Sequence, residues 1–412
     1  MPQTLRIRCR NNGQIIKVPF GTSLKELYEV SGLDMKHGPM CALVNNKVQG
    51  MNYRFYNAKD VEFKDITSSH GMRTYTLTLF LLLVKAVEDL YPGGQLIIGA
   101  PVSRGYFCEL RIGREVTEQD AMAIQKRMQE IVAMDEKIHR VQCPIEEAID
   151  LFRSKGMESK ARLLESQSNL YTYYYRLCDT VNYFYSCLLT RTSQLHLFRV
   201  EKFFEGLLLR VPSRKNPEEL EKMVPQEKMH NVIQEFHRWQ DILGVRNAGE
   251  FNEAVKDGHA SQLINVSEAL QEKKLNEIVD NIVEKGAKLV LLAGPSSSGK
   301  TTTSKRLAIL LMASGMRPHI ISTDDYFVNR VDTPKDANGN YDFECIEAVD
   351  TALFNKQMNQ LLAGEEVELP RYDFKLGERV YEDRRIRIGE GDIIILEGNH
   401  ALNPILSELV PE

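Results

Sequence analysis

The sequence predicts a multidomain chain in which α+β modules precede a doubly wound parallel α/β domain. Three observations predict it. Residues 1–66 alternate short strand-like runs with one capped helix, residues 212–285 are charged and helical with few strand signals, and residues 286–412 interleave near-continuous apolar runs with helical stretches. At 412 residues the chain is also longer than one hydrophobic core ordinarily serves, so several domains are expected.

The first segment, 1–66, opens with LRIRCR, the Asn11-Asn12-Gly13 turn and QIIKVPF, continues through a helix capped at Thr22 or Ser23, and closes with CALVNNKV and DVEFKDI. Strand, hairpin, helix, strands is a β-grasp pattern. Residues 67–211 read as an α+β domain: an apolar helix through Leu90, a Tyr91-Pro92-Gly93-Gly94 turn, strands around QLIIGA and YFCELRI, and a helix whose Thr117-x-x-Asp120 start resembles a capping box. The aromatic and β-branched stretch 168–211 is expected to return to the sheet of that domain. Its cluster Tyr171, Tyr173, Tyr174, Tyr175, Tyr183, Phe184 and Tyr185 offers rings on which RNA bases can stack, yet reads first as core packing, because alternation on a sheet buries every second ring. Residues 212–285 read as a helical connector without chemistry of its own.

From Lys288 the pattern becomes strand, glycine-rich loop, helix, strand, repeated: KLVLLAG, PSSSGKTTTSKRLAILLMASG, RPHIISTDD and later GDIIILEG. Strands this continuously apolar belong to a parallel sheet covered on both faces.

Composition narrows the function classes. With 43% hydrophobic and 26% charged residues and a formal charge of -5, the chain is expected to be soluble and globular. It lacks the overall basic field that draws a protein onto nucleic acid or an anionic membrane, although a local patch escapes this count. Seven scattered cysteines without a C-x-x-C pair fit a reduced compartment. The opening MPQTLRIRCRNNGQ has no apolar signal region, and the longest apolar run, Leu77 to Val84, is too short for a bilayer span. A cytoplasmic location without a membrane partner is therefore expected; a homo-oligomer stays open.

The chemistry concentrates in one motif. Gly294, Pro295, Ser296, Ser297, Ser298, Gly299, Lys300 and Thr301 spell G-x-x-x-x-G-K-[ST] between a strand and a helix, with Thr302 next in line. In such a P-loop the glycines let backbone N–H groups face the phosphates of ATP, the lysine reaches the β- and γ-phosphates, and the threonine hydroxyl joins the Mg2+ shell. Metal binding needs a carboxylate and phosphoryl transfer to a hydroxyl needs a base. Glu397 closes IIILEG and the pair Asp324-Asp325 closes HIISTDD, so both lie at carboxyl ends of strands, where open α/β sheets bind ligands.

With these residues in place, Lys288 to the end resembles the uridine kinase and phosphoribulokinase family. The resemblance implies Asp324 as the base for a ribose 5′-hydroxyl and a neighbour of the metal, Glu397 as the metal carboxylate, and Tyr341-Asp342 as the pair whose carboxylate holds ribose hydroxyls. It further implies Tyr372 and Phe374, of Tyr-Asp-Phe, as rings flanking the base, with Arg379 soon after. The family's pyrimidine-binding histidine would fall near Gly377, so a purine nucleoside stays open beside uridine and cytidine. The sequence reaches Glu412 just after the third apolar strand, without the arginine-bearing lid of that family, which suggests a shortened form whose turnover is in doubt.

Residues 1 to about 210 resemble the N-terminal region of threonyl-tRNA synthetase, a TGS-like β-grasp module followed by an editing-like domain, on AVEDLYPGGQLIIGAPVSRGYFCEL, VTEQDAMAIQKRMQEIV and IEEAIDLFRSKG. The four ligand positions that this resemblance implies fall on Leu77, Leu81, Phe184 and Leu188. None can coordinate a metal, so editing hydrolysis is not expected. Two functions from different classes follow: an ATP-dependent nucleoside kinase, or an ATP-binding regulatory or RNA-associated protein in which the front half acts.

Overall fold

The computed structural model describes residues 4–407; Met1–Gln3 of the first predicted segment and 408–412 of the last lie outside the described residues. The chain divides into two compact units, Met1–Ser261 and Gln262–Glu412. No helix among the described residues is long and apolar enough to cross a membrane.

The first unit begins with β1 (Thr4–Cys9), β2 (Ile15–Pro19), α1 (Leu24–Val30), β3 (Cys41–Val44), β4 (Lys47–Gln49) and β5 (Lys59–Lys64). They form one sheet in the order β2-β1-β5-β3-β4, with β1 and β5 parallel and the other pairs antiparallel. Ser23 caps α1 in a reciprocal box with Glu26, which settles the start at the second of the two candidates. Leu24 and Leu27 then bury against Ile7, Val18, Val61 and Phe63. Gly13, at φ +74°, takes the left-handed turn between β1 and β2.

The run Leu77–Val84 sits inside α2 (Ser69–Leu90), whose apolar residues are buried on several sides, which is why its pattern lacks a polar stripe. After α2 come β6 (Gln95–Val102), β7 (Gly105–Arg111), α3 (Glu118–Ala133), β8 (Ile138–Pro144), α4 (Ile145–Ser154), α5 (Glu158–Glu165), β9 (Tyr171–Leu177), β10 (Thr180–Asn182), β11 (Arg199–Phe203) and β12 (Gly206–Arg210). The capping box at Thr117 and Asp120 is present. The stretch 168–211 does not return to one sheet: β9 and β10 pair with β8, whereas β11 and β12 extend the β6–β7 hairpin in the order β11-β12-β7-β6. Residues 183–198, between β10 and β11, make the change of sheet. Of the aromatic cluster, Tyr174 and Tyr175 are buried, while Tyr171 and Tyr185 are exposed at 63% and 66%. Core packing thus accounts for part of it only. Three helices follow, α6 (Glu227–Leu243), α7 (Ala248–Lys256) and α8 (Ala260–Lys285).

The second unit is built on β13 (Leu289–Ala293), α9 (Lys300–Ala313), β14 (Arg317–Ser322), α10 (Thr351–Leu362), β15 (Glu366–Asp373), β16 (Glu378–Arg387) and β17 (Asp392–Gly398). Strands β13, β17 and β14 form a parallel sheet with β17 in the centre. Alternation along β17 explains its unbroken apolar run: Ile393 and Ile395 pack on α8 and α9, while Ile394 and Leu396 pack on the opposite side with α10 and β15. Both faces of the sheet are covered. The antiparallel ribbon β15–β16 has no counterpart in the sequence reading, because its exposed, arginine-rich β16 carries little apolar alternation.

Candidate functional site

Register places the site. Across the parallel sheet Leu292 and Ser322 both face Glu397, and Ala293 faces Gly398, so the phosphate loop, the acidic turn and Glu397 leave the sheet at one edge. Close packing holds them there: Gly398 passes so near Thr323 that a Cβ would lie 1.6 Å from the Thr323 hydroxyl.

The loop Gly294–Gly299 is shaped by left-handed backbone at Ser297 (φ +60°) and Gly299 (φ +86°). A Cβ on Gly294 would meet Ser298 Oγ at 2.7 Å, so the curl needs glycine there. Pro295, Ser296, Ser297, Ser298 and Gly299 are exposed, as are Thr301 and Thr302 in the first turn of α9. Gly299 gives α9 no side-chain cap, which leaves N–H groups of that turn to an anion.

Lys300 Nζ donates to Pro295 O and to Asn399 Oδ1, both at 3.0 Å. The Thr301 hydroxyl donates to Glu397 Oε1 at 3.1 Å, and Glu397 is buried. Asp324 lies in the short turn Thr323–Tyr326 after β14, its backbone N–H donating to Ser322 Oγ at 3.3 Å. Burial raises its carboxyl above the ordinary value, the Glu397 carboxylate raises it further, and Lys300 offsets part of that. Its neighbour is turned elsewhere: Asp325 accepts from Tyr372 N–H at 3.4 Å and pairs with Arg384 at 3.7 Å. Of the two adjacent carboxylates, the electrostatic neighbours of Asp324 are those of the phosphate loop.

Two residues outside the sequence-derived set join this centre. Asn399, which accepts from Lys300, donates to Glu344 Oε2 at 2.6 Å. The Glu344 carboxylate also raises Asp324. Position was the available signal, since Asn399 stands two residues after Glu397 and Glu344 two after Asp342.

The remaining expected residues divide. Tyr372 and Phe374 stack edge-on at 5.0 Å and form a wall with Phe327 and Phe343, which sequence reasoning missed. Tyr372 is buried and its hydroxyl has no hydrogen-bond partner among the described residues; Phe374 is 56% exposed. Tyr341 is also exposed, with Lys335 Nζ 5.1 Å from its ring centre. The Asp342 carboxylate accepts from Glu344 N–H at 2.9 Å, so it shapes the loop that carries Phe343 to the wall and Glu344 to Asn399. Arg379 is already engaged: it pairs with Asp350 at 3.0 Å and donates to Phe327 O at 3.2 Å. That geometry braces the wall from behind and leaves little of the guanidinium for a ligand.

Residues 289–405 match the Phosphoribulokinase / Uridine kinase family. The match spans the phosphate loop, the acidic turn, the aromatic wall and Glu397. The chain is similar to the solved "Structure of a Possible Uridine Kinase from Bacillus stearothermophilus", at 24% identity and TM-score 0.25, covering 30% of this chain and 71% of that one.

The N-terminal part is similar to threonine–tRNA ligases. The protein of Paraburkholderia phytofirmans is 40% identical over 85 residues, 21% of this chain and 13% of the relative. That of Syntrophomonas wolfei subsp. wolfei is 26% identical over 161 residues, 39% of this chain and 25% of the relative. The chain thus spans a quarter or less of the length of these two curated relatives.

Proposed function

We propose that residues 286–412 form an ATP- and Mg2+-dependent phosphotransferase domain that phosphorylates a nucleoside 5′-hydroxyl. The observation that carries it is the convergence of Lys300, Thr301, Glu397 and Asp324 at one sheet edge beside an aromatic wall. The donor set suits the groups: the uncapped start of α9 and Lys300 suit phosphates, and the Thr301 hydroxyl with the buried Glu397 carboxylate suits a hard divalent cation. When bound, Mg2+ neutralises charge on the phosphate oxygens.

The chain's own residues do the rest. Lys300 leaves Pro295 and Asn399 for phosphate, as a point charge on a flexible stem can. Asp324, raised by burial and by Glu397, is a better base than an ordinary surface carboxylate and would take the proton of the attacking hydroxyl. Phe374, Tyr372, Phe327 and Phe343 offer ring faces to a nucleobase, and the unpartnered Tyr372 hydroxyl is a buried polar group that a bound base would satisfy. Asp342 and Tyr341 are assigned to the ribose side, while Arg379 acts as a brace on Asp350.

In the first unit we infer a TGS-like module at 1–66, an editing-like domain at 67–211 and a helical connector at 212–285. The five-stranded sheet and the similarity to threonine–tRNA ligases support this. Leu77, Leu81, Phe184 and Leu188 all pack into one hydrophobic core, so the editing-like part offers no water-activating centre at those positions.

A panel of nucleosides and sugar phosphates, assayed for stimulated ADP release, tests the function. Release stimulated by a nucleoside and lost in Asp324→Asn is expected. Stimulation by sugar phosphates alone would move the substrate class, and full activity of Asp324→Asn would remove the base assignment.

A further inference from the structure

The first unit holds a cleft of about 720 Å³ that none of the chemistry above uses. Its walls come from β4 and the loop after it, the start of α2, β8, β9 and residues 185–190. No lining residue is acidic, although acidic residues outnumber basic ones across the chain, 57 against 52. Lys47, Arg73 and Arg140 line it together with His70 and His139. Arg8, Arg114, Arg191 and Arg317 each meet a carboxylate, yet among the described residues none pairs with these three cations. Cations left unpaired around a concave surface attract an anion.

The second feature is aromatic. Tyr53, Tyr173, Tyr175 and Tyr185 share the lining, and the Arg140 guanidinium lies 3.8 Å from the centre of the Tyr173 ring. This contact seats the cation over the ring and presents guanidinium and ring together. Half-exposed Tyr173 and exposed Tyr185 give the flat faces, and the amides of Gln49 and Asn52 give hydrogen-bonding edges. The volume lies within the range of small-molecule sites.

We propose that this cleft binds a free nucleotide, its phosphate on Arg73, Arg140 and Lys47 and its base against the tyrosines. The site shares no residue with the phosphate loop, so it does not depend on the phosphotransfer reading. The chain's net charge of -5 hides it from composition, because only folding gathers these cations.

Cys187, which lines the cleft, provides a local probe. Its sulfur lies 3.4 Å from the Thr74 hydroxyl. A hydrogen bond from the Cys41 thiol holds it below the usual thiol range. The full chain is treated with iodoacetamide, alone and with a nucleoside monophosphate, the free nucleoside, inorganic phosphate or a single-stranded RNA, and Cys187 modification is read by peptide mass spectrometry. Equilibrium dialysis of labelled nucleoside monophosphate gives affinity directly and covers the case of a slow thiol. The nucleotide should slow modification in the native chain and equally in Lys300→Ala. In Arg73→Ala/Arg140→Ala, loss of two charged contacts should weaken binding about a hundredfold. The proposal fails if no mononucleotide protects or binds, if protection vanishes in Lys300→Ala, if phosphate alone protects as well, or if only RNA protects.

Discussion

Replacing Gly398 by alanine places a methyl group where the acidic turn already lies. The new Cβ would sit 1.6 Å from Thr323 Oγ1, 2.8 Å from Thr323 Cβ and 3.1 Å from its Cγ2. The shortest of these is about 2 Å inside van der Waals contact. Thr323 is 1% exposed and cannot swing into solvent, so the backbone that carries Asp324 must move. Overpacking of this kind costs about 1–3 kcal/mol, and for a unit of this size each kcal/mol lowers the melting temperature by about 2–4 °C. A shift of the base by about 1 Å lowers turnover by about a hundredfold. Calorimetry and ADP release should therefore fall together in Gly398→Ala. Adding Thr323→Gly removes all three clashing atoms, and the double variant should be more stable than additivity allows, by about 0.5–3 kcal/mol. Strict additivity, or a Gly398→Ala protein with native melting and native turnover, would refute the packing argument.

Asp324→Asn should lower turnover by about 10²–10⁴-fold yet raise the melting temperature at neutral pH. Its folded-state carboxyl is raised by burial and by Glu397, so the stability it contributes when protonated is lost as pH rises through that raised value. The same shift moves the acid limb of the kcat/KM profile above that of an ordinary carboxylate. Asp120 works in the opposite sense: Arg114, Tyr91 and Thr117 all donate to it and hold it well below the carboxylate range. Its contribution is present above the unfolded-state value and lost as pH falls. Asp120→Ala should cost about 2 kcal/mol in denaturant unfolding at neutral pH and less in acid. Glu397→Gln should weaken Mg2+ binding, read as a higher half-saturating Mg2+ concentration for ADP release. Asn399→Ala should raise the KM for ATP by about threefold, since Lys300 and Glu344 both lose the amide that spaces them.

How far the sequence reaches can be judged residue by residue. Local rules govern helix caps, so Thr117 was legible from Asp120 three residues on, and the first helix start was legible to within Thr22 or Ser23, which the Ser23–Glu26 box decides. The phosphate loop was legible because its glycines, lysine and threonine are contiguous, and backbone curvature there depends on nearest neighbours. Strand-end carboxylates were legible as candidates, since the apolar runs before Asp324 and Glu397 mark where strands stop.

What the tertiary structure alone decided is which of these groups meet. Asp324 and Asp325 are equivalent in sequence, and only the folded turn Thr323–Tyr326 sets one under the influence of Lys300 and Glu397 and pairs the other with Arg384. Arg379 reads as a ligand residue until Asp350 is found 29 positions away, holding it. Phe327 and Phe343 have no local signature, and for Glu344 and Asn399 proximity to Asp342 and Glu397 is the only one, because their roles arise from contacts across tens of residues. The same holds for Lys47, Arg73 and Arg140, which form a cationic cleft in a chain of net charge -5. Contiguous motifs report short-range backbone geometry; a site's electrostatics depends on distances in space, and those are set by packing.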